Sequence, residues 1–252
     1  MTFSIVTICL NAERYLAEAM DSVLSQDWQD LEYLLVDGGS GDRTGEIIQG
    51  FAEQDRRVKY VVEAEPGIAR AMNCGLMMAQ GDIIAFLHAD DRYAGASVLT
   101  KVAETFRECP EALWVTGGMK EVDAHGEFLR ELPARRCASS RLLRNNIIYH
   151  PATFVKRSVM AELGGFDESL RFAMDYDLWL RLTLRTPIHV VDGHWANYRF
   201  HGQSKSVKAS RNFHPEWRKV SRRHWGTAGS REWWGHVISF SWYRGPIRIL
   251  RW

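Results

Sequence analysis

The sequence predicts an α/β fold with a mostly parallel central sheet flanked by helices. Three observations lead there. Through the first 115 residues, apolar runs of strand length alternate with amphipathic stretches of roughly 10–15 residues, the pattern of βαβ units. The 252 residues are 46% hydrophobic and 25% charged, ordinary globular values that supply a substantial core. Acids stand where two of the apolar runs end, and open parallel sheets bind their ligands beyond the carboxyl ends of the strands.

Taken in order, Ser4–Leu10 (SIVTICL) is a short buried strand. In the following AERYLAEAMDSVLSQ, Leu16, Ala19, Met20, Val23 and Leu24 fall on one helical face. LEYLLVD is the second strand and ends at Asp37; GDRTGEIIQGFAEQD then groups Ile47, Ile48 and Phe51 as on a helix. VKYVV is a third strand, and GIARAMNCGLMMAQ a helix that stops at Gly81. GDIIAFLHADD is the fourth strand and ASVLTKVAETFREC the fourth helix. Near residue 115 the pattern changes. ALWVTGGMKEVD and GEFLREL are extended, SVMAELGGF is a short helix closed by Gly164-Gly165, and MDYDLWLRLTLR is a helix with Leu178, Trp179 and Leu182 facing inward. The chain divides into 1–115, 116–210 and a basic, tryptophan-rich extension, 211–252; the first two are halves of one fold.

Several classes are excluded. No run approaches the roughly 18 apolar residues of a membrane-spanning helix. MTFSIVTICL lacks a basic n-region, so no signal peptide is expected. Cys9, Cys74, Cys109 and Cys137 form no CxxC pair and read as reduced thiols of a cytoplasmic protein. The net charge of +1 conceals an asymmetry: residues 211–252 hold nine Lys and Arg against two acids, with six of the ten tryptophans. Tryptophan favours the membrane–water interface and basic side chains favour anionic headgroups. A peripheral contact with the inner face of the cell membrane is therefore expected of 211–252. The alternative is that its tryptophans pack on the domain or form a homo-oligomer interface. No motif accompanies the charge that would make nucleic acid a partner.

The familiar phosphate-binding designs are absent. LNAERY, after the first strand, has no Gly-rich turn; VDGGSGDRT does not fit GxGxxG; there is no GxxxxGK[ST] and no GxSxG elbow. What remains is acids at strand ends. Asp90-Asp91, at the mouth of a buried strand, repel each other and resist desolvation. The pair is either a plain loop or a site for a divalent cation, which takes oxygen ligands and reverses the local electrostatics. Asp37 has the chemistry to accept the imide N–H of uracil or thymine, with Gly38 and Gly39 allowing a sharp turn. Asp42 and Thr44 read as caps of the helix that follows.

Four stretches in fixed order carry a resemblance: SIVTICLNAERYLAEAMDSVLSQ, VDGGSGDRT, EPGIARAMNCGLMMAQGDIIAFLHADDRY and GGFDESLRFAMDYDLWLRL, spanning about residues 3–205. They resemble the family 2 glycosyltransferases of the GT-A (nucleotide-diphospho-sugar transferase) fold. That resemblance implies inverting transfer of a sugar from a UDP- or dTDP-sugar, with Mn²⁺ or Mg²⁺, to a hydroxyl of a saccharide or lipid-linked acceptor in surface polysaccharide or glycolipid synthesis. Carried over position by position, Asp37 matches the acid that binds the base, and Thr7 and Asn11 lie where the first loop cradles the nucleoside. Ala89-Asp90-Asp91 matches the DxD region, with Asp90 near the ribose and Asp91 the metal ligand. His201 lies where the family often has a histidine close to the diphosphate. His88 departs from the family's Asp or Asn, and Arg70 replaces an acid in the family's GIYDAMN; Arg70 either contacts the diphosphate or faces solvent.

Inversion at an anomeric carbon needs charge stabilisation on the leaving diphosphate, which a metal supplies, and a base for the acceptor proton, worth typically about 10²–10⁴-fold. Asp175 matches the acid of the family's ED motif, with Met174 in place of the Glu. Read as a residue alone, an Asp opening a helix is an N-cap or a base; the resemblance makes Asp175 the base. His150 and His201 are both placed in polar loops, His150 shaping the acceptor side, and Trp179 and Arg181 are core and helix-face residues. Two rival readings stand beside this one. A nucleotidyltransferase or sugar-nucleotide pyrophosphorylase would show a Gly-rich, basic loop after the first strand. A non-catalytic nucleotide-sugar-binding protein would not need Asp37, Asp91 and Asp175 together.

Overall fold

Three strands of the first half are buried almost end to end, as near-continuous apolar runs demand when both faces of a sheet are covered. They are β1 (Phe3–Cys9), β2 (Leu31–Asp37) and, beyond the edge strand β3 (Val58–Val62), β4 (Ile83–Phe86). The computed structural model describes residues 1–63, 65–135, 142, 146–202, 204 and 210–224. Side chains alternate along β1, so Phe3 and Ile5 join one core layer and Val6 the other. The first layer receives α1 (Leu16–Leu24), α2 (Thr44–Gln54) and α4 (Val98–Glu108). The second receives α3 (Ile68–Met78), where Gly75 meets Val6 so closely that a Cβ would collide with it.

Past residue 115 come β6 (Trp114–Val122), β7 (Phe128–Leu132), β8 (Thr153–Lys156) and β9 (His189–Arg199), after the two-residue β5 (Arg92–Tyr93). Helices α5 (Arg157–Glu162), α6 (Met174–Arg185) and α7 (Ser210–His224) complete the second core layer, with Trp114 stacked on Trp179 at 5.8 Å. One nine-stranded sheet results, ordered β3-β2-β1-β4-β8-β6-β9-β5, with β7 on β6. The parallel expectation holds for β1–β4. Beyond them the sheet is mixed: β8 runs antiparallel to β4 and β6, while β9 runs parallel to β6. A strand entered from the same rim needs no crossover helix, and antiparallel pairing follows. Neither β8 nor β9 was legible in the sequence.

This topology fixes the location of function. Because β8 is antiparallel to both β4 and β6, strands β1, β2, β4, β6 and β9 all point their carboxyl ends at one rim. The start of β8, with the short helical turn His150–Ala152, lies there too. Asn73 holds two of the four recognised stretches together: it donates to Phe166 O (2.9 Å) and Glu168 (2.8 Å) and accepts the Phe166 N–H (2.8 Å).

The described part of the 211–252 extension packs on the domain. Val220 is fully buried and Trp217 lies against the second core layer. Residues 225–252, with the remaining tryptophans of the extension, lie outside the described residues, as does Cys137. Cys9, Cys74 and Cys109 are free thiols. Among the described residues no helix is long and apolar enough to cross a membrane.

Candidate active site

Two loops on the β1 and β2 side are zipped together. Asp37 is buried and its Oδ1 accepts both the Ser40 hydroxyl (2.6 Å) and the Ser40 N–H (3.1 Å). Asn11, at φ +51°, donates its N–H to Ser40 Oγ (2.8 Å) and accepts the Gly41 N–H through Oδ1 (2.9 Å). Asp42 accepts the Thr44 N–H (3.0 Å) and the Glu13 N–H (3.1 Å), but the N-cap position of α2 is Arg43, without a side-chain cap. Thr44 is no cap either: its hydroxyl receives the Ala12 N–H (2.8 Å) and ties the loops. Thr7 also departs from expectation. Its hydroxyl is fully buried, donating to Leu87 O (2.6 Å) and sharing a hydrogen bond with Tyr33 (2.9 Å), so its side chain braces the sheet and does not face a nucleoside. Arg70 pairs with Glu65 (2.8 Å) and Glu63 (3.5 Å) at the β3–α3 connection.

The two acids after β4 separate cleanly. Asp91 is 2% exposed and accepts the Arg199 N–H (3.0 Å). Burial, with Asp90 beside it, pushes its carboxyl well above the usual range, and Arg199 offsets this only in part. A carboxyl turned into the fold against β9 is not placed to ligate a cation at the rim, which corrects the expectation for Asp91. Asp90 carries the accessible carboxylate, and its Oδ2 faces His201 Nε2 at 3.0 Å. The His201 ring in turn lies 5.0 Å from that of Tyr15. Arg199 is the unforeseen residue here. Its buried guanidinium donates to Asp90 O (3.1 Å), Ala124 O (3.3 Å) and Glu18 (2.6 Å), and covers the Tyr15 ring at 4.5 Å. One side chain thus fixes the Asp90-Asp91 turn to α1 and β9. Its position at the end of β9, two residues before His201, is the signal that points to it.

Asp175 is the second residue of α6 and not its cap. Oδ1 accepts the Tyr176 N–H (2.7 Å) and Oδ2 the Asn146 side-chain amide (3.0 Å). Burial raises its carboxyl to about 6, and these hydrogen bonds hold the rise back. Asp177, on the next face, differs: Arg181 Nε (2.8 Å) and His224 Nε2 (3.1 Å) engage it. Its carboxyl lies below the usual range although burial opposes this, because the His224 hydrogen bond and the Arg181 charge prevail. Trp179 is core, as expected, and Arg181 also reaches Leu163 O and Gly165 O at 2.7 Å.

His150 is not in a polar loop. It is buried among Phe86, Phe166 and Trp179, edge-on to His88 at 5.2 Å. Burial, reinforced by His88, holds its pKa well below the ordinary value, so the ring is neutral. The aromatic path His88–His150–Trp179 connects the acidic turn to the helix that carries Asp175. Asn146 and Glu216, which brace α6, gave no sequence signal of their own.

Residues 4–164 match the model of the family described as Glycosyl transferase family 2. An uncharacterized glycosyltransferase of Rickettsia felis is 28% identical over 214 residues, 82% of this chain and 35% of its own length. The chondroitin synthase of Escherichia coli is 26% identical over 205 residues, 81% of this chain and 30% of its own. The chain therefore spans about a third of the length of these curated relatives. Among solved structures, residues 1–349 of TarS from S. aureus, in complex with UDP-GlcNAc, superpose with a TM-score of 0.75 at 19% identity, covering 97% of this chain and 75% of that one. The mannosyltransferase PcManGT of Pyrobaculum calidifontis, in complex with GDP-Man and Mn²⁺, gives 0.70 at 18% identity, covering 95% and 69%. At these identities the structures establish a shared GT-A fold.

Proposed function

Because the chain belongs to glycosyl transferase family 2, we propose that it transfers a sugar, with inversion, from a nucleoside diphosphate to a hydroxyl of a saccharide or lipid-linked acceptor. The observation that carries this is a division of labour at one rim of the sheet. Asp90 with His201 stands on the donor side, and a carboxyl raised to about 6, Asp175, stands on the acceptor side. Asp37, anchored by Ser40, is assigned to the base, with Asn11 shaping the loop beside it.

The donor set suits a divalent cation. One carboxylate and one imidazole, 3.0 Å apart at their nearest atoms, are too few to cage an ion alone. Among the described residues there is also no cluster of three such side chains. Mg²⁺ and Mn²⁺ sites of this kind are completed by substrate phosphates and water. Asp90 and His201 would hold the ion, in place of the expected Asp91, and the ion would supply charge neutralisation to the leaving diphosphate. The chain's own residues do the rest. Asp175 takes the proton of the acceptor hydroxyl; its pKa near 6 leaves it ionised at neutral pH yet more basic than an ordinary Asp.

Neither LNAERY nor anything beside it forms the basic loop of a pyrophosphorylase, so that reading is not favoured. The membrane role of 211–252 is carried by its composition together with the outer face of α7, where Arg218, Lys219 and Arg222 are exposed. The acid test is a thermal-shift panel of UDP-, dTDP- and GDP-sugars with and without Mn²⁺, since a ligand that binds only the native state raises apparent stability. One donor class should raise the melting temperature, and more so with Mn²⁺ in wild type than in His201→Ala. No stabilisation by any donor would sink the reading.

A further inference from the structure

Helix α6 starts without a cap of its own; Ala173 precedes it and offers no side-chain acceptor. The N–H groups at such an end lack intrahelical partners and attract an anion. Here the anion arrives from 43–45 residues downstream. Glu216, on α7, accepts the Arg171 N–H at Oε1 (2.9 Å) and the Phe172 (2.5 Å) and Ala173 (2.7 Å) N–H groups at Oε2. Both oxygens are spent on the three residues directly before Met174-Asp175. Glu216 is one of only two acids in an extension with nine basic residues, so general charge does not place it there. The rest of α7 grips the same helix, with Ser221 bonding the Tyr176 hydroxyl (3.1 Å) and His224 meeting Asp177 (3.1 Å), and Arg223 pairs with Asp167 in the segment before it (2.6 Å).

We infer that Glu216 is a positioning residue for transfer: a carboxylate clamp, supplied by the C-terminal helix, that fixes residues 171–173 and so sets the direction of the Asp175 carboxylate toward the acceptor hydroxyl. The inference rests on Asp175 being the base. Among the described residues Asp175 has one side-chain partner, Asn146. Its aim therefore depends on the backbone that carries it, and misplacement of a reacting group by about 1 Å costs on the order of 10²-fold in rate. By this account the α7 segment completes the active site although it lies outside the family match, which ends at residue 164.

The test uses the full chain and expresses turnover per molecule able to bind UDP, measured by titration calorimetry in the same preparation. A loss of folded protein lowers rate and binding stoichiometry together and leaves that ratio unchanged. Glu216→Ala should lower the ratio at least tenfold with UDP affinity within twofold of wild type. Glu216→Gln, which keeps one acceptor oxygen, should lower it about fivefold. In an Asp175→Asn background Glu216→Ala should produce no further loss. A ratio within twofold of wild type for Glu216→Ala, or for Glu216→Gln if the alanine variant does not fold, overturns the clamp. An equal fractional loss in both backgrounds overturns it as well, because the residue would then act elsewhere. Retention of transfer by Asp175→Asn alone refutes the base assignment instead, and so separates the two failures.

Discussion

Asp37 and Asp90 reach the rim on their own strands: Asp37 is the last residue of β2, and Asp90 follows within a few residues of the end of β4. Asp175 sits on a helix; beside the adjacent Tyr176 N–H, the groups that orient it come from distant parts of the chain, Asn146 from the loop before β8 and Glu216 from α7. The loops around Asp37 are built from local connections between the adjacent parallel strands β1 and β2, whereas Asp90 is held by Arg199 and His201 from far along the chain. The acceptor side is built from contacts across tens of residues. Such a division lets binding of the nucleotide and direction of the proton be altered separately. Substitutions on the first side should change affinity, and those on the second should change turnover.

The largest expected effect tests that separation directly. Asp175→Asn should lower transfer by about 10²–10⁴-fold, the usual worth of a general base, while UDP affinity stays within twofold. Asp37→Ala should do the reverse. The contrast breaks if both weaken UDP equally. The sign of the pH dependence follows from the raised carboxyl: Asp175 must be ionised to act, so kcat/KM of wild type should fall tenfold per unit as pH drops below about 6. An acid limb near pH 4 would show that burial does not act on the working group.

Asp177 sharpens the comparison because it shares the helix with Asp175. Its side chain is 5% exposed and satisfied by Arg181 and His224. Removing one member of a buried ion pair leaves the others uncompensated, at about 3–5 kcal/mol. Asp177→Ala should therefore destabilise the protein by about 3 kcal/mol in urea unfolding, with little change in turnover per folded molecule. The opposite pattern would place the base at 177.

The smallest effect belongs to the donor loop. Ser40→Ala removes the 2.6 Å bond to Asp37 and should weaken UDP about threefold to tenfold, the worth of roughly one hydrogen bond. No change on calorimetry would mean that the orientation of Asp37 does not depend on Ser40.

The run of residues by itself determined the βαβ half, because apolar periodicity and strand-end acids are local properties that each segment carries alone. Strand-end acids picked out Asp37 and Asp90 for the same reason, whereas Asp175 and His201 were singled out by the family resemblance. Only the folded sheet decided that β8 and β9 close the second half, that Asp91 turns inward to Arg199, that His150 is buried and neutral, and that Glu216 caps α6. Each of those depends on which distant segment arrives as a neighbour. A carboxylate's role is set by the donors and the dielectric around it, and neighbours far apart along the chain leave no periodic trace in the sequence.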